Sequence, residues 1–355
     1  MNTYSSDGHQ YRHGGPGEVL GGETGLTTEA GSTATLPSHS KDLGHLSERR
    51  VLVLGLPRSG KSSIMAVVFE NMMPYDTLGM IPTQTCLEHH LSNTGITVYD
   101  FPGLDDYSDT YYTNVVDPRF YEGETTSLIY VVDSQGDIHS SLATFSSIVR
   151  IAQSRNPQLS ITIFIHKVDG LSEELKDDIQ QVIQQRVMKS MGFEGLDTTY
   201  LRFMLTTIFD ESIKEAISRV VQRLVPKFRT LESILNSFCT KSMLEKVFLL
   251  DQRSKVYLST DLSPTETQQY AFSCQTIAAM QTLTQQFTAL IEPPEGLGQQ
   301  VMFGLSGDTK IYIHQIDANL ALLCIGSSQV FRQRSLVEFN AAKVARAIRQ
   351  ILPYS

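Results

Sequence analysis

Short apolar runs alternate with longer amphipathic stretches from residue 49 to about residue 225. The apolar runs predict strands over 50–55, 86–91, 95–100, 127–133, 161–166 and 201–206. The amphipathic stretches predict helices over 61–72, 138–154, 172–191 and 211–225. The runs at 127–133 and 161–166 are almost continuously apolar, which is typical of central strands buried on both faces. This order predicts a doubly wound α/β domain with a mostly parallel sheet.

The pattern changes after Pro226, where strands no longer alternate with helices. Helices are predicted over 230–242, 264–291 and 335–352, and strands over 246–250, 255–260, 299–304, 309–316 and 320–326. Antiparallel strands with helices on one face satisfy this order, so the second part is predicted to be an α+β domain.

Residues 1–48 differ from both parts, because they are rich in Gly, Ser, Thr and His and contain few large apolar side chains. Such a segment buries too little surface to offset the entropy of ordering, so it is predicted to be disordered. The sequence therefore divides into a tail over 1–48, an α/β domain over 49–228 and an α+β domain over 229–355.

Charge and composition narrow the classes of partner. The 355 residues carry a formal net charge of −9, which argues against nucleic acid or an anionic membrane held by bulk charge. No apolar run approaches the ~18 residues needed to cross a bilayer, and we find no signal-peptide core or lipidation motif. We therefore expect no direct membrane insertion. Four well-separated cysteines are typical of reduced thiols in a cytosolic protein.

The first apolar run leads into Gly55-Leu-Pro-Arg-Ser-Gly-Lys-Ser62, which matches G-x-x-x-x-G-K-S between a strand and a helix. In such a loop, backbone N–H groups and the helix N-terminus surround the phosphates of a nucleotide. Lys61 is expected to reach the β- and γ-phosphates, and the Ser62 hydroxyl to ligate Mg²⁺. The alternative is a glycine-containing turn without a ligand. The predicted nucleotide contacts in this segment are Gly55, Arg58, Ser59, Gly60, Lys61, Ser62 and Ser63.

His166-Lys-Val-Asp169 ends a buried apolar run and is the candidate for reading the base, unless the string occurs by chance. The Asp169 carboxylate can accept the N1 and N2 hydrogens of guanine, which adenine does not present, so the motif favours GTP over ATP. Lys167 is expected to cover the base and brace the phosphate loop, and His166 to offer one ring N–H to guanine N7. In the segment Thr206-Thr207-Ile208, Thr207 and Ile208 are expected to present backbone N–H groups to guanine O6; the alternative is a strand end whose hydroxyls cap the next helix.

Asp100-Phe-Pro-Gly103 matches D-x-x-G at the end of the third predicted strand. Asp100 is expected to hold Mg²⁺ through water, and the Gly103 N–H to sense the γ-phosphate. Thr83 is expected to coordinate Mg²⁺ only when GTP is bound, which makes residues 74–86 a loop ordered by the γ-phosphate. Thr85 is the rival of Thr83 for this role. The predicted magnesium ligands are Ser62, Thr83 and Asp100.

These motifs resemble the Rag GTPase family, specifically its C/D-type branch. The resemblance rests on the segments 55–64, 100–103, 127–134, 166–172 and 245–251. It covers residues 49–291 well and is weaker over 292–355. It implies a Ras-like P-loop GTPase domain followed by a roadblock-like dimerisation domain. It also implies a small GTPase that hydrolyses GTP to GDP and phosphate.

The resemblance implies partners as well. It implies an obligate heterodimer with an A/B-type Rag GTPase through the C-terminal domain. It implies recruitment by a scaffold complex to the lysosomal or vacuolar surface, and regulation by GAP and exchange factors. The implied output is amino-acid-dependent control of the TOR growth kinase complex. The expected location is cytoplasmic, and peripheral on the lysosomal or vacuolar membrane through these partners.

Two residues depart from the pattern of that family. Leu104, which with Thr83 is a candidate catalytic position, stands where the family places the Gln that orients the attacking water. Because Leu can neither donate nor accept a hydrogen bond, intrinsic hydrolysis is expected to be very slow unless a partner, or Asp105 or Asp106, supplies the polar group. Pro57 removes one N–H from the phosphate loop where the family usually carries Arg.

Two other functions stay open on the sequence. Leu104 favours a subunit that stays bound to nucleotide without cycling and serves a structural role in the same type of complex. A metabolic P-loop ATPase or kinase is disfavoured by Asp169 and by the lack of an acceptor-substrate motif.

Overall fold

The α/β part of the chain is built on a six-stranded sheet. The computed structural model describes residues 49–91, 94–103, 116–287, 300–305 and 307–352. The strands of this sheet are β1 Arg49–Gly55, β2 Leu87–Leu91, β3 Ile96–Asp100, β4 Thr126–Asp133, β5 Ser160–His166 and β6 Leu201–Thr206. Their order is β2-β3-β1-β4-β5-β6, with β2 antiparallel to β3 and the other pairs parallel. The predicted mostly parallel sheet is confirmed.

Helices cover both faces of this sheet. They are α1 Lys61–Phe69, α2 Ile138–Arg155, α3 Glu173–Glu194 and α4 Ser212–Val221. Side chains of β1 alternate between the faces, so Val51 joins the core under α1 and α4, while Leu52 joins the core under α2 and α3. Because the strands other than β2 run in the same direction, their carboxyl ends share one edge, where the loops with predicted chemistry begin.

A second, five-stranded antiparallel sheet forms the C-terminal part. Its strands are β7 Lys246–Asp251, β8 Tyr257–Thr260, β9 Gln300–Gly304, β10 Thr309–Gln315 and β11 Leu320–Ser327. Their order is β8-β7-β11-β10-β9. The accompanying helices are α5 Phe228–Lys241, α6 Thr267–Phe287 and α7 Arg334–Ile351. The predicted α+β organisation is confirmed.

The helices of this part lie on both faces of the sheet, so the prediction of helices on one face was wrong. Leu235 of α5 and Val337 of α7 share a core with Leu249 of β7. Tyr270 of α6 packs with Phe248 of β7 on the opposite face. Every residue of β7 is buried, since the strand is apolar on both sides and each side needs a cover.

The first helix of the chain is shorter than predicted. Helix α1 ends at Phe69 rather than near residue 72, because Asn71 adopts a left-handed φ of 55° that terminates the helix. The apolar core under α1 and α4 continues through α5 into the second sheet. The predicted division after residue 228 falls at the first residue of α5, and the two-domain description stays a prediction. Among the described residues, no helix combines the length and the apolar character needed to span a bilayer.

Candidate functional site

The loop between β1 and α1 is shaped by two glycines. Gly60 has a φ of 102°, and a side chain there would place its Cβ 2.6 Å from the imidazole of His166. Gly55 lies equally close to the backbone, since a Cβ would stand 2.5 Å from the carbonyl oxygen of Val131. The loop therefore packs against the ends of β4 and β5, and these two positions require glycine.

Lys61 begins α1 and is almost completely buried. Its ammonium donates hydrogen bonds to the carbonyl oxygens of Gly55 at 3.0 Å and Leu56 at 2.9 Å. These bonds fold the side chain back over the loop that precedes it. A positive charge thus stands on the concave side of the loop, which is the arrangement that an anion requires.

The three predicted magnesium ligands meet at one point. The hydroxyl oxygens of Ser62 and Thr83 lie 2.6 Å apart, and both residues line a cavity of about 190 Å³ together with Asp100. Asp100 is completely buried, and neither of its carboxylate oxygens has a hydrogen-bond partner among the described residues. Burial raises the pKa of Asp100 to about 6, although the charge of Lys61 and the Ser62 hydroxyl oppose the shift.

A buried carboxylate without a partner is costly unless a cation or donor completes it. Two hydroxyl groups and one carboxylate are oxygen donors of the kind that Mg²⁺ prefers. The residues present therefore fit a magnesium ion, and the orphaned oxygens of Asp100 are the observation that supports this fit.

The segment 74–86 runs over this cavity. It opens with a 3₁₀ turn, Pro74–Gly79, and continues through residues 80–86 without helix or strand as far as β2. Thr85 is exposed and lines the same cavity, but it is Thr83 that contacts Ser62. The geometry favours Thr83 over its rival Thr85 as the ligand from this segment.

Lys167 joins the loop after β5 to the loop between β1 and α1. Its ammonium donates to the Arg58 carbonyl oxygen at 2.8 Å and to the Asp133 carboxylate at 2.6 Å. Sequence reasoning did not single out Asp133, nor Ser134 and Gln135, whose side chains donate to the Lys167 carbonyl oxygen. The sequence did contain a signal for these residues. The apolar run of β4 ends in polar residues, and in a parallel sheet this end of β4 lies at the same edge as His166 of β5.

His166 is buried between β6 and the phosphate loop. Its Nδ1 lies 3.0 Å from the Thr206 hydroxyl, while its other edge faces Gly60. Burial lowers the pKa of His166 to about 4, and the neighbouring charge of Lys167 adds to the effect. The ring is therefore neutral near pH 7. Its Nε2 lies on the edge that packs against Gly60, and the contact with guanine N7 stays a prediction.

Asp169 is oriented by Thr207, whose hydroxyl donates to the carboxylate at 2.7 Å. The backbone N–H of Thr207, predicted to serve guanine O6, already donates to the Ser212 hydroxyl at 3.0 Å. Ile208, half-buried beside it, is left as the candidate for that backbone contact. The side chain of Thr207 thus acts on Asp169, a contact that the sequence pattern did not indicate.

Gly103 closes the site on the side of Pro57. A Cβ at Gly103 would stand 2.5 Å from the Pro57 Cα, so the two loops are in direct contact. Ser59 and Ser63 lie in the loop and the first helical turn, and the Ser59 hydroxyl is buried. Leu104, Asp105 and Asp106 lie outside the described residues.

Comparison with known proteins agrees with this geometry. A model of the Gtr1/RagA G protein conserved region matches residues 50–280. GTP-binding protein gtr2 of Schizosaccharomyces pombe is 37% identical over 85% of this chain and 98% of its own length. Ras-related GTP-binding protein C of Homo sapiens is 36% identical over 86% of this chain and 77% of its own.

A member of the other branch is more distant. GTP-binding protein gtr1 of Schizosaccharomyces pombe is 28% identical over 60% of this chain and 68% of its own length. The identity is thus higher, and extends further, with Gtr2 and Ras-related GTP-binding protein C. The chain belongs to the Gtr1/RagA family of G proteins, in its C/D-type branch.

Proposed function

We propose that the protein is a guanine-nucleotide-switched regulatory subunit that binds GTP and GDP together with Mg²⁺. The observation that carries the proposal is the convergence of Ser62, Thr83 and Asp100 on one cavity beside the buried Lys61. Residues separated along the chain are brought to the place where a phosphate loop needs a cation and its ligands.

The phosphates are held by the loop from Gly55 to Ser62 and by the ammonium of Lys61. Ser62 and Thr83 would hold Mg²⁺ directly and Asp100 would hold it through water, and the ion would supply positive charge to neutralise the phosphate oxygens. Thr83 contributes from the segment 74–86, so that segment is arranged differently when the γ-phosphate is present.

Guanine is selected by Asp169, which Thr207 orients with its hydroxyl. The N1 and N2 hydrogens of guanine are donated to the two carboxylate oxygens of Asp169. Adenine does not present these two hydrogens, so it leaves the carboxylate unpaired and is rejected. The hydrogen bonds from Lys167 to Arg58 and Asp133 connect this loop to the phosphate loop.

Hydrolysis of GTP to GDP and phosphate resets the switch. Leu104 follows D-x-x-G and supplies no polar group for the attacking water, so this step is slow or depends on a partner. The same residue favours a second candidate function, in which the protein stays bound to nucleotide and serves as a structural subunit without cycling.

The output of the switch is partner binding. From its membership of the Rag family, we propose that the protein forms a heterodimer with an A/B-type Rag GTPase through its C-terminal part. Exposed apolar residues of α7, Leu336 and Phe339, support an interface there. A scaffold complex brings the heterodimer from the cytoplasm to the lysosomal or vacuolar surface. There it relays amino-acid availability to the TOR kinase complex, under GAP and exchange factors.

The test is to co-express the chain with its A/B-type counterpart, purify the complex and identify the bound nucleotide over time. GTP that converts to GDP supports the switch. GTP that persists supports the structural subunit instead. A preparation that binds no guanine nucleotide, or in which ATP competes equally with GTP, overturns both.

A control variant separates the site from the fold. Lys61→Ala removes the loop ammonium and is expected to abolish loading while the heterodimer still forms. Full GTP occupancy in this variant would contradict the assignment of the phosphate site.

A further inference from the structure

A groove of about 340 Å³ runs along the outer edge of β6, between α3 and α4. We call it the β6 groove. Its lining includes Gln180 and Gln184 from α3, Arg202 and Phe203 from β6, and Arg219 and Arg223 from α4 and the turn after it. These residues lie toward the amino ends of the strands, away from His166 and Thr206 at the nucleotide edge.

The floor of the β6 groove is a strand edge that no other described residue pairs with. Among the described residues, β6 is the last strand of its sheet. The Ile161 N–H donates to the Tyr200 carbonyl oxygen at 3.0 Å, so Tyr200 and Arg202 direct their main chain toward β5. The intervening residues direct theirs away from β5, and Phe203 therefore offers an N–H and a C=O to the groove.

Arginine side chains give the β6 groove a positive charge. Arg202 is exposed, and no ion pair or hydrogen bond of its side chain is present among the described residues. Arg223 is exposed and donates to the Ser160 hydroxyl, which is uncharged. Arg219 is the exception, because it pairs with Glu215 at 2.6 Å. Within the part of the chain that the structure describes, two positive charges without an ion-pair partner thus stand beside an unpaired strand edge, in a chain whose net charge is −9.

The two walls of the β6 groove differ in chemistry. Met204 packs against the core beneath α4, and Arg202, two residues earlier, lies on the same face as Arg219 and Arg223. The α3 wall is neutral, with the amides of Gln180 and Gln184 beside the ring of Phe203. A strand laid along β6 would present every second side chain to the arginine wall and the others to the amide wall.

We infer that the β6 groove binds an extended acidic segment of a partner protein. The segment pairs with β6 as an added strand, and its carboxylates occupy alternate positions facing Arg202 and Arg223. Main-chain hydrogen bonds to β6 supply affinity, and the alternating charge supplies specificity and register. The site is separate from the nucleotide site, so the inference does not depend on the proposed function.

The test uses a fluorescent eight-residue peptide with Glu at alternate positions and Thr between them. Its anisotropy is followed as the full chain is added. We expect saturable binding that weakens with salt, because exposed ion pairs are screened. The double variant Arg202→Ala and Arg223→Ala is expected to lower the affinity about tenfold. Arg229→Ala, which removes an exposed arginine of α5, is the matched control and should leave the affinity unchanged.

Two further peptides separate strand addition from attraction between charges. A peptide with Gln in place of Glu should bind weakly, since it lacks the carboxylates. A peptide N-methylated at alternate residues keeps its charge but loses main-chain donors, and it should also bind weakly. Equal binding of the methylated and unmethylated peptides would overturn strand addition.

Other outcomes also contradict the inference. It is overturned if the acidic peptide fails to bind, or if it binds the double variant as tightly as the unaltered chain. Vesicles that contain a phosphoinositide are the competing probe. Arginine-dependent binding of these vesicles without peptide binding would assign the groove to a membrane surface instead. Retained guanine-nucleotide loading in each variant confirms that the chain is folded.

Discussion

At the residue scale, the site depends on a few side chains whose environment fixes their chemical state. Asp100 is buried and has no hydrogen-bond partner for its carboxylate in the described part of the chain, His166 is neutral because it is buried, and Asp169 is held by the Thr207 hydroxyl. Each of these states depends on the packing around the residue. The sequence gives the residue's identity but not this environment. Substitutions at single positions therefore test the chemistry directly.

Asp169→Asn replaces one carboxylate acceptor with an amide donor. We expect the affinity for GDP to fall roughly 100-fold, because a guanine N–H would then face another N–H. Xanthosine diphosphate, which carries a carbonyl in place of the guanine amino group, is expected to gain affinity. Competition binding with both nucleotides measures the change. Asp177→Asn on the exposed side of α3 is the control, and a similar loss in that variant would contradict the interpretation.

Asp251, at the end of β7, predicts a dependence of stability on pH. Burial raises the pKa of Asp251 to about 6, although hydrogen bonds from Ser254 and Arg253 oppose the shift. The folded state therefore holds a proton that the unfolded state releases, so the free energy of unfolding falls as the pH rises from about 4 through 6. Between pH 5 and pH 7.5 the expected loss is about 1 kcal/mol.

Urea unfolding of the unaltered chain and of Asp251→Asn at both pH values checks this prediction. The variant cannot titrate at this position, so its stability should fall less over the same interval. An equal fall in both proteins would place the pH dependence elsewhere.

At the element scale, the hairpin between β7 and β8 contacts the end of α1. The Lys255 ammonium donates to the Asn71 side-chain oxygen at 2.6 Å, and Lys255 is buried although Asn71 is exposed. Asn71 terminates α1 and precedes the segment 74–86. The C-terminal sheet thus contacts Asn71, the residue shortly before the predicted switch segment 74–86 begins.

Lys255→Met removes this contact and keeps much of the apolar stem. We expect amide hydrogen exchange over 70–86 to become about fivefold faster, since one hydrogen bond contributes about 1 kcal/mol. Hydrogen-exchange mass spectrometry of the nucleotide-loaded protein measures the effect. Lys189→Met on the exposed side of α3 serves as the control. Unchanged exchange in Lys255→Met would show that the hairpin does not restrain the segment.

At the scale of the whole molecule, the two sheets share α4. Ile213 of α4 belongs to the same apolar core as Leu249 of β7, and the Tyr257 N–H of β8 donates to the Ser218 hydroxyl at 3.0 Å. The nucleotide part and the C-terminal part are therefore packed against each other by main-chain and apolar contacts. A conformational change in one part can therefore be transmitted to the other part through these contacts.

Because Leu104 stands at the position of the usual Gln, we predict that it limits the rate at which the whole subunit hydrolyses GTP. In a single-turnover assay of the proposed heterodimer, Leu104→Gln is expected to hydrolyse GTP faster, because the amide can orient the attacking water. The measurement is the rate of phosphate release from preloaded GTP, with Lys61→Ala as the control that loads no nucleotide. Equal rates with and without the substitution would show that Leu104 does not limit hydrolysis.

The sequence by itself determined the elements and the motifs. Strand and helix positions followed from the period of apolar residues, and the phosphate loop from residues adjacent in the chain. Both are local properties, set by side-chain spacing and backbone geometry over a few residues. The positions of Lys61, Asp100 and Asp169 could therefore be predicted without coordinates.

Only the tertiary structure decided which of these residues meet. Ser62 and Thr83 are separated by 21 positions and Asp169 and Thr207 by 38, yet each pair is in hydrogen-bond contact. The helices on both faces of the second sheet and the position of β6 at the edge of its sheet, as far as the structure describes the chain, were likewise decided by long-range packing. Periodicity shows which side of an element is apolar, but it does not show which other element covers that side.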